Sequence, residues 1–130
     1  SKVNPAPSDS KIIVSQEKRS TPADKISYSV SDLKISEKNN GVLIALNYKG
    51  DDPRSNITTF FSGDNFFNIS FYKGSFSDKV KNYVYNKAVV GTVKFFEFKD
   101  SVQITVRLRN DYNSSHVITE KDRIIISVFN

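Results

Sequence analysis

The chain has no cysteine, no methionine and no tryptophan among its 130 residues, and a single histidine. Without cysteine, disulfide frameworks, thiolate metal sites and thiol nucleophiles are excluded together, and the sequence suits any compartment, including an oxidising one. Methionine is missing even at position 1, so Ser1 is not expected to be a native start: either a signal peptide has been removed or the chain has been trimmed. The five glycines are scattered, which leaves no Gly-rich phosphate loop. No run approaches the roughly 18 apolar residues of a membrane span, and no signal-peptide core remains. The chain as given is therefore expected to be soluble, without membrane insertion. Long helical patterns are lacking too.

What is present is apolar and aromatic. Apolar residues make up 38 % and aromatics 12 %, carried by ten Phe and six Tyr, beside 25 % charged residues. That is a globular composition rather than a disordered one. The length suggests one domain plus a tail. A domain of about 105 residues buries roughly two-thirds of its unfolded surface and needs no metal or disulfide to fold. The net charge of +5 and pI near 9.4 favour acidic partners such as nucleic acid, anionic lipid or a carboxylate-bearing cell-wall polymer. The lysines are spread along the chain, as a plain solvated surface would also have them.

Residues 1–24 read as a tail or linker, with Pro5, Pro7 and Pro22 among serines. Its one β-branched run, Lys11-Ile12-Ile13-Val14, reads either as a segment able to add to a sheet edge or as an apolar patch in a flexible leader. The folded part, 25–130, opens with Ile26, Tyr28 and Val30 alternating with serines, a strand with one wet face. Leu33 and Ile35 continue it past an irregularity near Asp32. Asn39-Asn40-Gly41 predicts a hairpin turn of positive φ. After the loop 50–54, Ile57–Phe61 and Phe66–Tyr72 predict a second hairpin around Gly63-Asp64-Asn65. The connector 76–91 is ambiguous. Ser77 can cap a short helix with Val80, Tyr83 and Val84 on one face, and the same stretch is acceptable as strand, with a strand expected from Ala88.

The centre of the chain is written twice, in one copy spanning about 26–73 and another spanning about 92–130. Val42-Leu43-Ile44-Ala45-Leu46-Asn47-Tyr48 returns sixty residues later as Val102-Gln103-Ile104-Thr105-Val106-Arg107-Leu108, with apolar residues at matching alternate positions. Leu33 and Ile35 precede the first run as Val93 and Phe95 precede the second. Phe67–Phe71 and Ile124–Val128 close the copies, their spacing reduced to 57. A one-residue slip would invert every side chain between core and solvent, so alternation kept in both copies marks a duplication. The fold expected is all-β, a sandwich of two small antiparallel sheets, with room for one short helix in the connector.

This layout, with Leu33-Lys34-Ile35 and Gly41–Leu46 followed by Gly91–Phe96, Val102–Leu108 and Asp122–Val128, resembles the AMIN domain. That family stands at the N-terminus of bacterial cell-wall amidases and type IV pilus secretins. The resemblance covers roughly 26–130 and implies a non-catalytic periplasmic targeting module that binds peptidoglycan and localises an attached amidase or secretin. The alternative is a structural or assembly domain of an envelope complex that binds another protein, served by Phe60-Phe61, Phe66-Phe67 and Lys11–Val14.

Catalytic chemistry has little to stand on. His116 lies in a polar stretch expected to be loop, and its neighbouring serines are not a triad, which needs groups that converge in space. No spacing suggests a metal, and Asp51, Asp52 and Asp100 are explained by turn chemistry. No cofactor is expected, nor a nucleic-acid partner, which would ask for aromatics and basic residues on one face. The sequons at Asn56, Asn68 and Asn113 are not read as glycosylation sites, Asn68 falling inside a predicted strand. If Val102, Ile104, Val106 and Leu108 point inward, then Gln103, Thr105, Arg107 and Arg109 face outward. Arg107, Arg109 and Arg123 are expected to form one guanidinium-rich face suited to carboxylates, with Lys49 on the first copy and Tyr72 or Tyr112 placed to stack on a sugar.

Overall fold

In the computed structural model, which describes residues 25–130, the alternating runs are strands. They are β1 (Tyr28–Lys38), β2 (Gly41–Gly50), β3 (Ile57–Ser62), β4 (Phe66–Tyr72), β5 (Gly74–Phe76), β6 (Val90–Glu97), β7 (Ser101–Leu108), β8 (Ser114–Glu120) and β9 (Arg123–Phe129). One sheet has the order β5-β1-β2-β9-β8 and the other β3-β4-β7-β6. The Lys11–Val14 run lies outside the described residues.

The duplication holds at the level of hydrogen-bonded register. In β1–β2 the pairs are Val30 with Tyr48, Leu33 with Leu46 and Ile35 with Ile44. In β6–β7 they are Val90 with Leu108, Val93 with Val106 and Phe95 with Ile104. Each member is displaced by sixty residues, and the break in register recurs between Val30 and Asp32 and between Val90 and Val93. The closing strands are exchanged. β4, from the first copy, pairs with β7 of the second, Ile69 opposite Ile104. β9, from the second, pairs with β2 of the first, Ile126 opposite Ile44. Each sheet is thus built from both copies.

Between the sheets the inward residues interlock. Ile44, Leu46, Ile124 and Ile126 from one sheet and Phe67, Ile69, Phe71 and Ile104 from the other are fully buried. Phe76 joins them through edge-on contacts with Phe71 and Phe95 at 5.9 and 5.5 Å. The two outer strands β3 and β8 meet through the Thr59 and Ser115 hydroxyls, 3.1 Å apart.

Of the local expectations, the short helix is met and several others are corrected. The connector forms a single helical turn, α1 (Asp78–Lys81), whose N-cap is Ser77: its hydroxyl accepts from Val80 N. The following strand starts at Val90 rather than Ala88, and β5, which is parallel to β1, carries too few residues to show a period. His116 sits in β8, not in a loop. Positive φ falls at Gly50, Gly63, Asn65, Lys73 and Asp122, not in the Asn39–Asn40 turn. Gly41 is instead required by proximity, because a Cβ there would collide with the Val128 carbonyl oxygen.

The connector also shields the open side of β1. The Tyr83 hydroxyl accepts from Ile35 N at 3.0 Å. The Glu37 carboxylate accepts from Val89 N and Val90 N, both at 3.0 Å, which ties the end of one sheet to the start of β6 in the other. Partial burial pushes the Glu37 carboxyl up, but these two N–H groups, the Tyr85 hydroxyl and the Lys87 ammonium outweigh it and hold it below the usual carboxylate range. A group lowered in the fold stabilises fully above its unfolded pKa of about 4.3, and that contribution is lost as pH falls through the native value.

Glu37→Gln is expected to destabilise the fold by about 1–2 kcal/mol at pH 7. The difference from wild type should shrink when urea melts are repeated below about pH 4. Conversely, the Tyr28 hydroxyl is buried without a partner, so Tyr28→Phe should raise stability by about 1 kcal/mol in the same melts.

Candidate functional site

The outward face of the four-stranded sheet carries the most organised polar chemistry of the described residues. Its rows follow from the register: Phe60, Asn68, Thr105 and Lys94 in one, and Thr58, Ser70, Gln103 and Phe96 in the next. Asn68 is the one buried polar side chain among the described residues, 3 % exposed although it faces out of the sandwich. Its Nδ2 donates to the Phe60 carbonyl at 3.2 Å and to Ser62 Oγ at 2.9 Å. Its Oδ1 accepts from Thr105 Oγ1 at 2.8 Å and Gln103 Nε2 at 3.2 Å, and Gln103 Nε2 also reaches Thr105 Oγ1 at 3.0 Å. Both amide protons and both carbonyl lone pairs are used, so the strip across β3, β4 and β7 is fixed in place.

Aromatic rings stand around this strip. Phe60, Phe96, Phe98 and Tyr72 are 42, 40, 57 and 49 % exposed, which leaves ring faces open to a ligand. Phe96 and Phe98 stack with centroids 6.4 Å apart. The Arg107 guanidinium lies 6.0 Å from the Phe66 ring and Lys73 Nζ 5.5 Å from that of Tyr72, cation–π distances that keep charge beside the aromatics. Lys94 adds a second ammonium from β6. The surface offers stacking planes, amide and hydroxyl groups and cations within one sheet face, so the shared placement of aromatics and basic residues that the sequence did not show is present in the fold.

The expected single guanidinium face is not formed. Arg107 and Tyr72 belong to the face just described. Arg123 and Lys49 lie on the outer face of the five-stranded sheet, where Arg123 pairs with Glu120 at 3.1 Å. Arg109 is spent on the connector, donating to the carbonyls of Lys87 and Val90 and to Asn86 Oδ1. The alternation of β7 and β9 was legible, but exchange of the closing strands puts β9 in the other sheet. Tyr112 is half-buried against the core. His116 is exposed on β8, in line with Ser127 on the opposite side of the sandwich from this face. Among the described residues no group of three His, Asp or Glu is placed to hold a metal. Lys94, Phe96 and Phe98 were not anticipated as site residues, Phe60 was expected only to serve a protein partner, and Asn68 was expected to face outward but not to be buried in a hydrogen-bonded strip. Their alternation marks them as outward, but only the pairing of β3 and β4 with β6 and β7 gathers them.

No family model, no curated protein and no solved structure matches the chain.

Asn68→Ala leaves the Ser62, Thr105 and Gln103 groups without their common partner and is expected to cost about 1–3 kcal/mol. Thermal melts check the cost. Loss of the slow exchange of the Gln103 side-chain amide protons, read by NMR, checks that the strip itself has come apart.

Proposed function

We propose that the chain is a non-catalytic targeting module of the bacterial periplasm, of the AMIN type, that binds peptidoglycan and localises an attached amidase or secretin. The ligand lies on the outer face of the four-stranded sheet. The observation that carries this reading is the fixed Asn68–Thr105–Gln103 strip with open rings beside it. Pyranose rings present apolar faces that fit against Phe96 and Tyr72, and their hydroxyls and N-acetyl groups match amide and hydroxyl partners. Stem-peptide carboxylates meet Arg107 and Lys94, Arg107 engaging both oxygens. An extended sheet face also suits a polymer better than an enclosed pocket does. Arg123, Lys49 and Arg109 take no part in this site.

A second reading, an assembly domain that binds another envelope protein, is favoured by the exposed phenylalanines on the same face, because clustered exposed apolar rings mark protein contacts. The two are separated by asking what the face holds.

Co-sedimentation of the purified chain with insoluble peptidoglycan sacculi is the test, over a salt series. Phe96→Ala and Arg107→Ala are each expected to weaken binding by about five- to thirtyfold, the range for loss of an anchor residue worth about 1–2 kcal/mol. Arg123→Ala, on the other face, should bind as wild type. Absence of binding at low salt, with the fold intact by circular dichroism, would sink the peptidoglycan reading in favour of the protein-binding one.

A further inference from the structure

The two copies differ at one edge. Phe98 N donates to Ser101 O at 2.8 Å across the β6–β7 turn. In an antiparallel ladder, hydrogen-bonded positions alternate, so Phe96 and Lys94 also face β7, while Val93, Phe95 and Glu97 direct N–H and C=O to the outer edge. Ile35, sixty residues before Phe95, has the same orientation in the first copy, and there the edge is closed. Its N–H is taken by the Tyr83 hydroxyl, and β5 pairs in parallel with Tyr28–Val30 further along. Among the described residues nothing takes the N–H of Phe95 or pairs with β6 on that side. A groove of about 580 Å³ follows this edge, between Val93–Glu97 and the segment Lys81–Val84. Val84 in its wall is 88 % exposed.

We propose that this groove receives Lys11-Ile12-Ile13-Val14 of the same chain as an added strand, so that β6 becomes an inner strand and both sheets have five. The position at which the chain enters the domain supports this occupant. Ser27 N donates to Lys73 O, and Lys73 N donates to Asp100 O, each at 2.8 Å. Asp100 is in the turn that ends β6, so the leader joins the domain beside one end of the groove. Ten residues separate Val14 from Lys25 and can span about 33–36 Å. β6, with eight residues, is about 26 Å long, so the tether allows the strand to lie in either direction. A short tether gives a high effective concentration, and three consecutive β-branched residues suit an edge position. The proposal is independent of the ligand on the sheet face.

Amide exchange of the full 130-residue chain, followed by NMR, tests it. The Phe95 amide is expected to exchange at least about tenfold more slowly than an unprotected amide. Neighbouring residues of a strand point N–H to opposite sides, so one of Ile12→Pro and Ile13→Pro removes a ladder donor and should restore fast exchange at Phe95. The Phe96 and Lys94 amides, bound to β7, serve as the check that the fold persists in both variants. Fast exchange of Phe95 in the wild-type chain, or slow exchange unaffected by either proline, would overturn the proposal. So would protection that rises with protein concentration, which would assign the groove to a second copy.

Discussion

Everything in this domain depends on the pairing of each copy's closing strand with the other copy's central strand. β4 completes the sheet of β6 and β7, and β9 completes that of β1 and β2. Within its own copy each central strand is paired on one side only, by β1 or β6, and the other copy fills its second side, so the two stabilise or fail together. The pairs that matter most, Ile69 with Ile104 and Ile126 with Ile44, are far apart in sequence and fully buried. Contacts of that separation carry a loop-closure cost before any burial offsets it, which makes such a fold slow to form and cooperative once formed.

A sandwich of open sheets leaves strand edges, and the connector manages one of them. Its own Val80 is buried, its Tyr83 hydroxyl occupies the Ile35 amide, and Glu37 holds the amides of Val89 and Val90 where β6 begins. A stretch that carries only one turn of helix therefore does the work of an edge strand. Among the described residues no segment covers the edge of β6 as the connector covers that of β1. Duplicated copies need not be equal in their surroundings, and such an inequality singles out a surface by comparison within one molecule.

Exchange also decides the chemistry of the outer faces. On the four-stranded side, β3 and β4 bring Phe60, Asn68 and Tyr72 against Gln103, Thr105 and Arg107 of the second copy. The hydrogen-bonded strip is thus an interface between the two copies before it is a surface for anything else. On the five-stranded side the corresponding rows contain Ala45, Ile125 and Ile118, with Arg123 compensated by Glu120. One face became polar and aromatic while its counterpart became plain.

Apart from β5 and the start of β8, the strands, their inward and outward residues and the duplication were legible in the sequence. Period-2 alternation is a local property, and a slip of one residue is prohibitive once one face is buried. It is why Val102, Ile104, Val106 and Leu108 were placed in the core, Gln103, Thr105 and Arg107 outside it, and the irregularity near Asp32 at the register break. It left the connector open between a short helix and strand, and the hydrogen bond from Val80 N to Ser77 Oγ in the fold settles it as a helical turn. Which strands share a sheet is settled by long-range pairing alone. Alternation says toward which side a residue points, but not across which gap its strand finds hydrogen bonds, and that choice belongs to pairs such as Ile126 with Ile44, eighty-two residues apart. For that reason Arg107 and Arg123, both correctly read as outward, stand on opposite faces, and Asn68 was legible as an outward polar residue but not as a buried amide.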